Sequence, residues 1–121
     1  MALSMQISKV HHISLNVADI HVATAFYVEV MGLSLLPRPD LGFPGTWLAM
    51  GEQQLHLMEK PKASPDQGQH FAFAVDNIVA KRDYLIGRGV EVTPIRQVSD
   101  ICLQCFFLDP AGNRLELNQP L

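Results

Sequence analysis

His12–Ile20 reads HISLNVADI and His70–Ile78 reads HFAFAVDNI, one short pattern met twice, 58 residues apart (12 to 70). The match sets Val17 against Val75, Asp19 against Asn77 and Ile20 against Ile78, and further on Phe26 against Tyr84. Later, Leu55-His56-Leu57 is echoed by Leu115-Glu116-Leu117, now 60 residues apart (56 to 116). A drift of this size is absorbed by loops. The chain therefore divides into two copies of one unit, about 8–59 and 69–119, within a single domain spanning 1–121. Between them, Lys60–Gly68 (KPKASPDQG) has the Pro, Ser and Gly content of a linker.

Each unit predicts the same elements. A strand with alternating apolar residues comes first, Val10–Val17 or Gln69–Val75. A helix follows, capped by Asp19 in the first unit and by Asp76 or Asn77 in the second. Ile20, Ala23, Tyr27 and Val30 give the first helix an apolar stripe that Gly32 ends, and the second helix ends near Gly87–Gly89. Three strands complete each unit: Ser34–Arg38, Thr46–Met50 and Gln53–Met58, then Glu91–Gln97, Ile101–Leu108 and Arg114–Asn118. Asp109-Pro110-Ala111-Gly112-Asn113 is turn chemistry, with Pro presetting φ and Gly supplying a positive one. The order βαβββ, twice, predicts an α+β fold: a cupped, mostly antiparallel mixed sheet with helices on its outer side.

Strand parity selects the chemistry. Ile13, Leu15 and Val17 share the helix-packed face, which turns His12, Ser14 and Asn16 the other way. By the same alternation His70 lies opposite Phe71 and Phe73, His56 opposite Leu55 and Leu57, and Glu116 opposite Leu115 and Leu117. Three histidines and one glutamate thus project from the face away from the helices, at equivalent places in two units. Imidazole nitrogen and carboxylate oxygen suit one divalent ion of zinc, nickel, cobalt, iron or manganese. Structural zinc sites lean on cysteine, so this set implies an accessible, catalytic metal.

The remaining candidates read as structural. Cys102-Leu103-Gln104-Cys105 has redox-motif spacing, but in a strand residues three apart face opposite sides, so two inert thiols are expected. His11 reads as structural, His21 as solvated, and Glu29, Glu52, Glu59 and Glu91 as surface charge. Arg82–Arg88 reads as a wet helix face. Trp47 suits either the pocket wall or the core, and Leu41–Gly45 either a loop over the site or a plain connection.

The motifs HHISLNVADI, AFYVEVMGL, QLHLME, QHFAFAVDNI and FFLDPAGNRLEL together resemble the vicinal oxygen chelate superfamily, over nearly the whole chain. That group holds glyoxalase I, fosfomycin-resistance thiol transferases, extradiol dioxygenases, methylmalonyl-CoA epimerase and bleomycin-binding proteins. The resemblance implies metal ligands at His12, His70 and Glu116, and places His56 where glyoxalase I carries a glutamate. It implies a lyase or isomerase acting through a metal-chelated enediolate on a small-molecule substrate, with Glu116 moving the proton. An extradiol-type dioxygenase, a thiol transferase and a non-catalytic drug-binding protein are the alternatives it leaves. It also implies a homodimer, in which the first unit of one chain meets the second unit of its partner; pairing within one chain is the other arrangement.

Composition narrows the partners. With 48% hydrophobic and 17% charged residues the chain reads as globular. A net charge of −3 without a basic cluster argues against nucleic acid or a membrane surface. Met1–Ser8 lacks the regions of a signal peptide, which leads to an expectation of a cytoplasmic protein.

Overall fold

The first strand, β1 (His12–Val17), runs parallel to β4 (Gln53–Glu59), setting Ser14 beside His56 and Leu15 beside Leu57. This is a computed structural model, and it describes residues 5–7, 9–60 and 69–121. The linker expected over 60–68 lies, beyond Lys60, outside the described residues. β3 (Gly45–Met50) pairs antiparallel with β4, and β2 (Ser34–Leu36) with β3, giving the order β1-β4-β3-β2. The second module repeats it with β5 (His70–Ala74), β6 (Arg96–Val98), β7 (Cys102–Leu108) and β8 (Arg114–Pro120), in the order β5-β8-β7-β6. The fold is α+β, with two four-stranded mixed sheets of the same topology.

Several strands are shorter than the sequence predicts, two of them by the largest fraction. Ser34–Arg38 stops at Leu36, and Glu91–Gln97 shrinks to Arg96–Val98, with Val92 making only an isolated bridge to Phe107. Both are edge strands of their sheets; Pro37 follows the first and Pro94 precedes the second, and neither has an N–H to give to the ladder.

Helices α1 (Ile20–Ala25) and α2 (Ile78–Gly87) cover one face of their sheets. Asp19 caps α1, accepting from His21 N at 3.0 Å and Val22 N at 3.1 Å, and Asn77 caps α2 from a left-handed backbone, accepting from Ala80 N. A second cap arrives from the sheets. Glu59 accepts from Ile20 N at 3.0 Å, and its counterpart Gln119 accepts from Ile78 N at 2.8 Å. Glu59 is therefore a helix-capping group and not the surface charge the sequence suggests.

After Ala25 the first helix widens into a π turn over Phe26–Val30. The extra residue in the turn brings the neighbours Phe26 and Tyr27 inward together and leaves Val30 half-buried, departing from the regular stripe. One hydrophobic cluster joins the modules: Val17, Tyr27 and Leu57 on one side meet Ile78, Leu85 and Leu117 on the other. Polar bonds fasten the same seam. Tyr27 Oη donates to Asp109 Oδ2 at 2.8 Å, and Asn113 Nδ2 donates to Asn16 O at 3.0 Å. Asp109 also accepts from Ala111 N, Asn113 N and Asn113 Nδ2, so the turn that links β7 and β8 is closed on itself while holding module one. Burial first, then the neighbouring Asp109 carboxylate, raises the Tyr27 pKa far above the phenol range. Among the described residues no helix is long and apolar enough to cross a membrane.

Candidate functional site

Alternation along the strands sorts the side chains as the sequence implies. Leu55, Leu57, Leu115 and Leu117 are buried under the helices, while His12 and His70 are exposed and His56 half-buried on the opposite face. Cys102 and Cys105 are free and buried; Cys105 is in the helix-side core, where burial raises its thiol pKa, and no disulfide joins them.

In module one the His12 and His56 rings stack, with centroids 4.2 Å apart and planes at 15°. Trp47, directly across from His56 in the β3–β4 register, covers its other side at 4.5 Å and 10°. Gln54 Oε1 lies 2.8 Å from His56 Nε2. Desolvation lowers the His56 pKa, with the charges of His12, His11 and Arg38 adding to it. That shift favours the neutral ring, the form in which imidazole binds a metal. His11, assigned a structural role from sequence, sits against His12, with their Nδ1 atoms 2.9 Å apart.

In module two Glu116 Oε1 lies 3.0 Å from His70 Nε2. Its Oε2 accepts from Asn118 Nδ2 at 2.8 Å and Gln104 Nε2 at 3.3 Å. The carboxylate is 5% exposed yet faces away from the helices, because Phe106, opposite Glu116 in the β7–β8 register, and these amides surround it. Phe106 meets the His70 ring edge-on at 5.4 Å, the place Trp47 holds in module one. Gln104 and Phe106 were not singled out from sequence; the register of β7 on β8 is the signal that locates them.

The donor set suits a divalent ion. Donors 3.0 Å apart, as in His70–Glu116, are spaced like neighbouring ligands with bonds of about 2.1 Å meeting near a right angle. The carboxylate is oriented from behind by two amides, the usual support for a ligand. The structure brings together His12 with His56, and His70 with Glu116. It does not bring the two pairs together: among the described residues no three His, Cys, Asp or Glu side chains gather in one chain to hold an ion.

Residues 9–117 match the model of the Glyoxalase/Bleomycin resistance protein/Dioxygenase superfamily. The chain belongs to this superfamily. Its members include metal-dependent lyases and dioxygenases. A curated relative, the uncharacterized protein YaeR of Escherichia coli K12, is 31% identical over 92% of this chain and 95% of its own. A glyoxalase family protein from Bacillus anthracis superposes with a TM-score of 0.88 at 26% identity, covering 98% of this chain and 100% of that one. TnmS3, an antibiotic binding protein from Streptomyces sp. CB03234, superposes with a TM-score of 0.83 at 31% identity, over 98% and 100% of the two chains.

Proposed function

We propose that this protein is a cytoplasmic, divalent-metal-dependent enzyme, a lyase or isomerase resembling glyoxalase I, working as a homodimer on a small substrate with adjacent oxygens. Each site would take His12 and His56 from one copy and His70 and Glu116 from the other. The observation that carries this reading is the pair of half-sites: two ligand pairs at repeat-equivalent positions, each ordered, that stay apart within one chain. Leu108, on the same face as Phe106 and 57% exposed, is an apolar residue that a second copy would cover.

Three neutral imidazoles and one carboxylate leave a divalent ion with about one net positive charge, and the bound ion would supply Lewis-acid polarisation of the substrate oxygens. The proton work falls to Glu116, the carboxylate of the set. Gln104 and Asn118 hold its Oε2, which fixes the direction from which Oε1 meets a proton. Trp47 and Phe106 supply flat apolar walls that exclude water beside the ligands.

Mixed dimers test the assembly. A His12→Ala, His56→Ala chain combined with a His70→Ala, Glu116→Ala chain should regain one intact site per heterodimer, read as metal content after dialysis. No recovery would sink the shared site. Nickel or zinc with turnover of a methylglyoxal–thiol adduct supports the lyase, whereas iron with catechol-dependent oxygen uptake replaces it by the dioxygenase. A second reading, a small-molecule binding protein, is favoured by the likeness to TnmS3. Tight ligand binding unaffected by metal removal would promote it.

A further inference from the structure

Arg38 stands two residues past Leu36, which pairs with Trp47; continuing that register sets Arg38 opposite Gly45, itself opposite Met58. Its guanidinium lies on Gly45: a Cβ there would come within 2.8 Å of Nη2, 2.9 Å of Cζ and 2.6 Å of Leu57 O, so only glycine leaves the room. Nη2 donates to Phe43 O at 3.0 Å, and Cζ sits 4.9 Å from the centre of the Phe43 ring. Lys60 Nζ approaches the same ring at 5.8 Å. Alternation from His56 through Met58 to Lys60 keeps these cations on the face that carries His56 and Trp47.

Among the described residues neither cation is compensated by an acid. Arg38 Nε is buried without a hydrogen-bond partner, and among the described residues neither Arg38 nor Lys60 forms an ion pair. Asp40, the acid of the same loop, is turned to Gly42 N at 2.9 Å. A guanidinium stacked on a ring, held by one backbone bond and still carrying unused donors, is organised for an oxyanion. Met58 is two residues from His56, so Arg38 stands about 7 Å along the strand from the ligand pair and Lys60, two residues further, about 13 Å.

We propose that Arg38, assisted by Lys60, binds a terminal carboxylate or phosphate of the substrate, whose other end carries the adjacent oxygens that reach His12 and His56. The substrate is then a small molecule bearing an oxyanion tail several bonds from its chelating oxygens. This rests on the metal-site reading above for the chelating end alone; the anion subsite stands on Arg38 itself.

Trp47, the single tryptophan of the chain, stacks on His56 and reports binding by its fluorescence. Metal-free protein is first titrated with glutarate and with inorganic phosphate. Saturable binding, weakened at least tenfold in Arg38→Met and severalfold in Lys60→Met, is expected, and the tighter anion identifies the tail. Cobalt-loaded protein is then titrated with 2-hydroxyglutarate, 3-phosphoglycerate and 2-hydroxypentanoate. One of the two tailed acids should bind at least tenfold more tightly than 2-hydroxypentanoate, and Arg38→Met should bring that ratio to about one, the larger loss falling on the tailed acid. A ratio untouched by Arg38→Met, or an equal loss for all three acids, overturns the proposal and leaves Arg38 as a staple of its loop. Failure of cobalt to bind counts against the metal site, and the metal-free titrations still decide Arg38. If Arg38→Met does not fold, Arg38→Lys serves, since a point charge replacing the fork should lower the ratio severalfold; an unchanged ratio again overturns the proposal.

Discussion

The two modules share one topology and one register, yet they equip the same face differently. Module two places a buried carboxylate, Glu116, among a histidine and two amides, so its charge is fixed in direction before any ligand arrives. Module one puts the ring of His56 in the equivalent position, between His12 and Trp47, with Arg38 and Lys60 beyond it. Duplication of a fold preserves where side chains point, because alternation is a backbone property, while their chemistry is free to diverge. One half holds the buried carboxylate; the other holds stacking surface and positive charge.

The comparison can be broken first at the core. Leu55 and Leu115 are fully buried counterparts, so Leu55→Ala and Leu115→Ala should each cost about 2–5 kcal/mol in urea denaturation. A cost confined to one of them would show that the modules do not share one cooperative core. Next, Glu116→Ala should weaken metal binding by about a hundredfold or more, from roughly 3 kcal/mol for one of four ligands, measured calorimetrically. His56→Ala should cost less, since it removes a neutral donor; equal losses would erase the asymmetry proposed between the halves.

The seam comes third. Tyr27→Phe leaves the buried Asp109 short of a donor and should cost about 2 kcal/mol, whereas Tyr84→Phe, at a half-exposed hydroxyl, should stay within about 0.5 kcal/mol. The Tyr27 phenol also sets an alkaline limit. Its folded pKa is raised above the ordinary 10.0, so above that pH the unfolded chain loses the proton first and stability falls as pH rises. Tyr27→Phe should flatten that slope between about pH 10 and 11.5; an unchanged slope would remove Tyr27 from the account. The smallest effect expected is at the supporting amides: Gln104→Ala should weaken metal binding by about tenfold, more than Gln54→Ala in module one.

The two side-chain pairs, His12 with His56 and His70 with Glu116, were legible as a shared face because both rest on period-two alternation. Leu55-His56-Leu57 and Leu115-Glu116-Leu117 state, without any tertiary information, which residue leaves the core. Gln104 and Phe106 escaped notice because they reach Glu116 only through the register of β7 on β8, and the sequence carries no separate mark for it. Arg38 escaped for a related reason: its position depends on a strand ending at Leu36 and on a glycine opposite, both set by pairing partners that are distant in the chain. Glu59 was misread as surface charge because a cap supplied from another element leaves no local pattern around the helix it caps.

By itself, then, the sequence determined the repeat, the βαβββ order, and the side of each sheet on which His12, His56, His70 and Glu116 lie. Local periodicity is enough for that, since it follows from backbone geometry one residue at a time. Only the tertiary structure decided that the four form two separate pairs within a chain, that Tyr27 and Asp109 lock the modules together, and that Arg38 lies flat on Gly45. Those depend on how whole elements pack, where a shift of one register position or one helical turn redirects every contact.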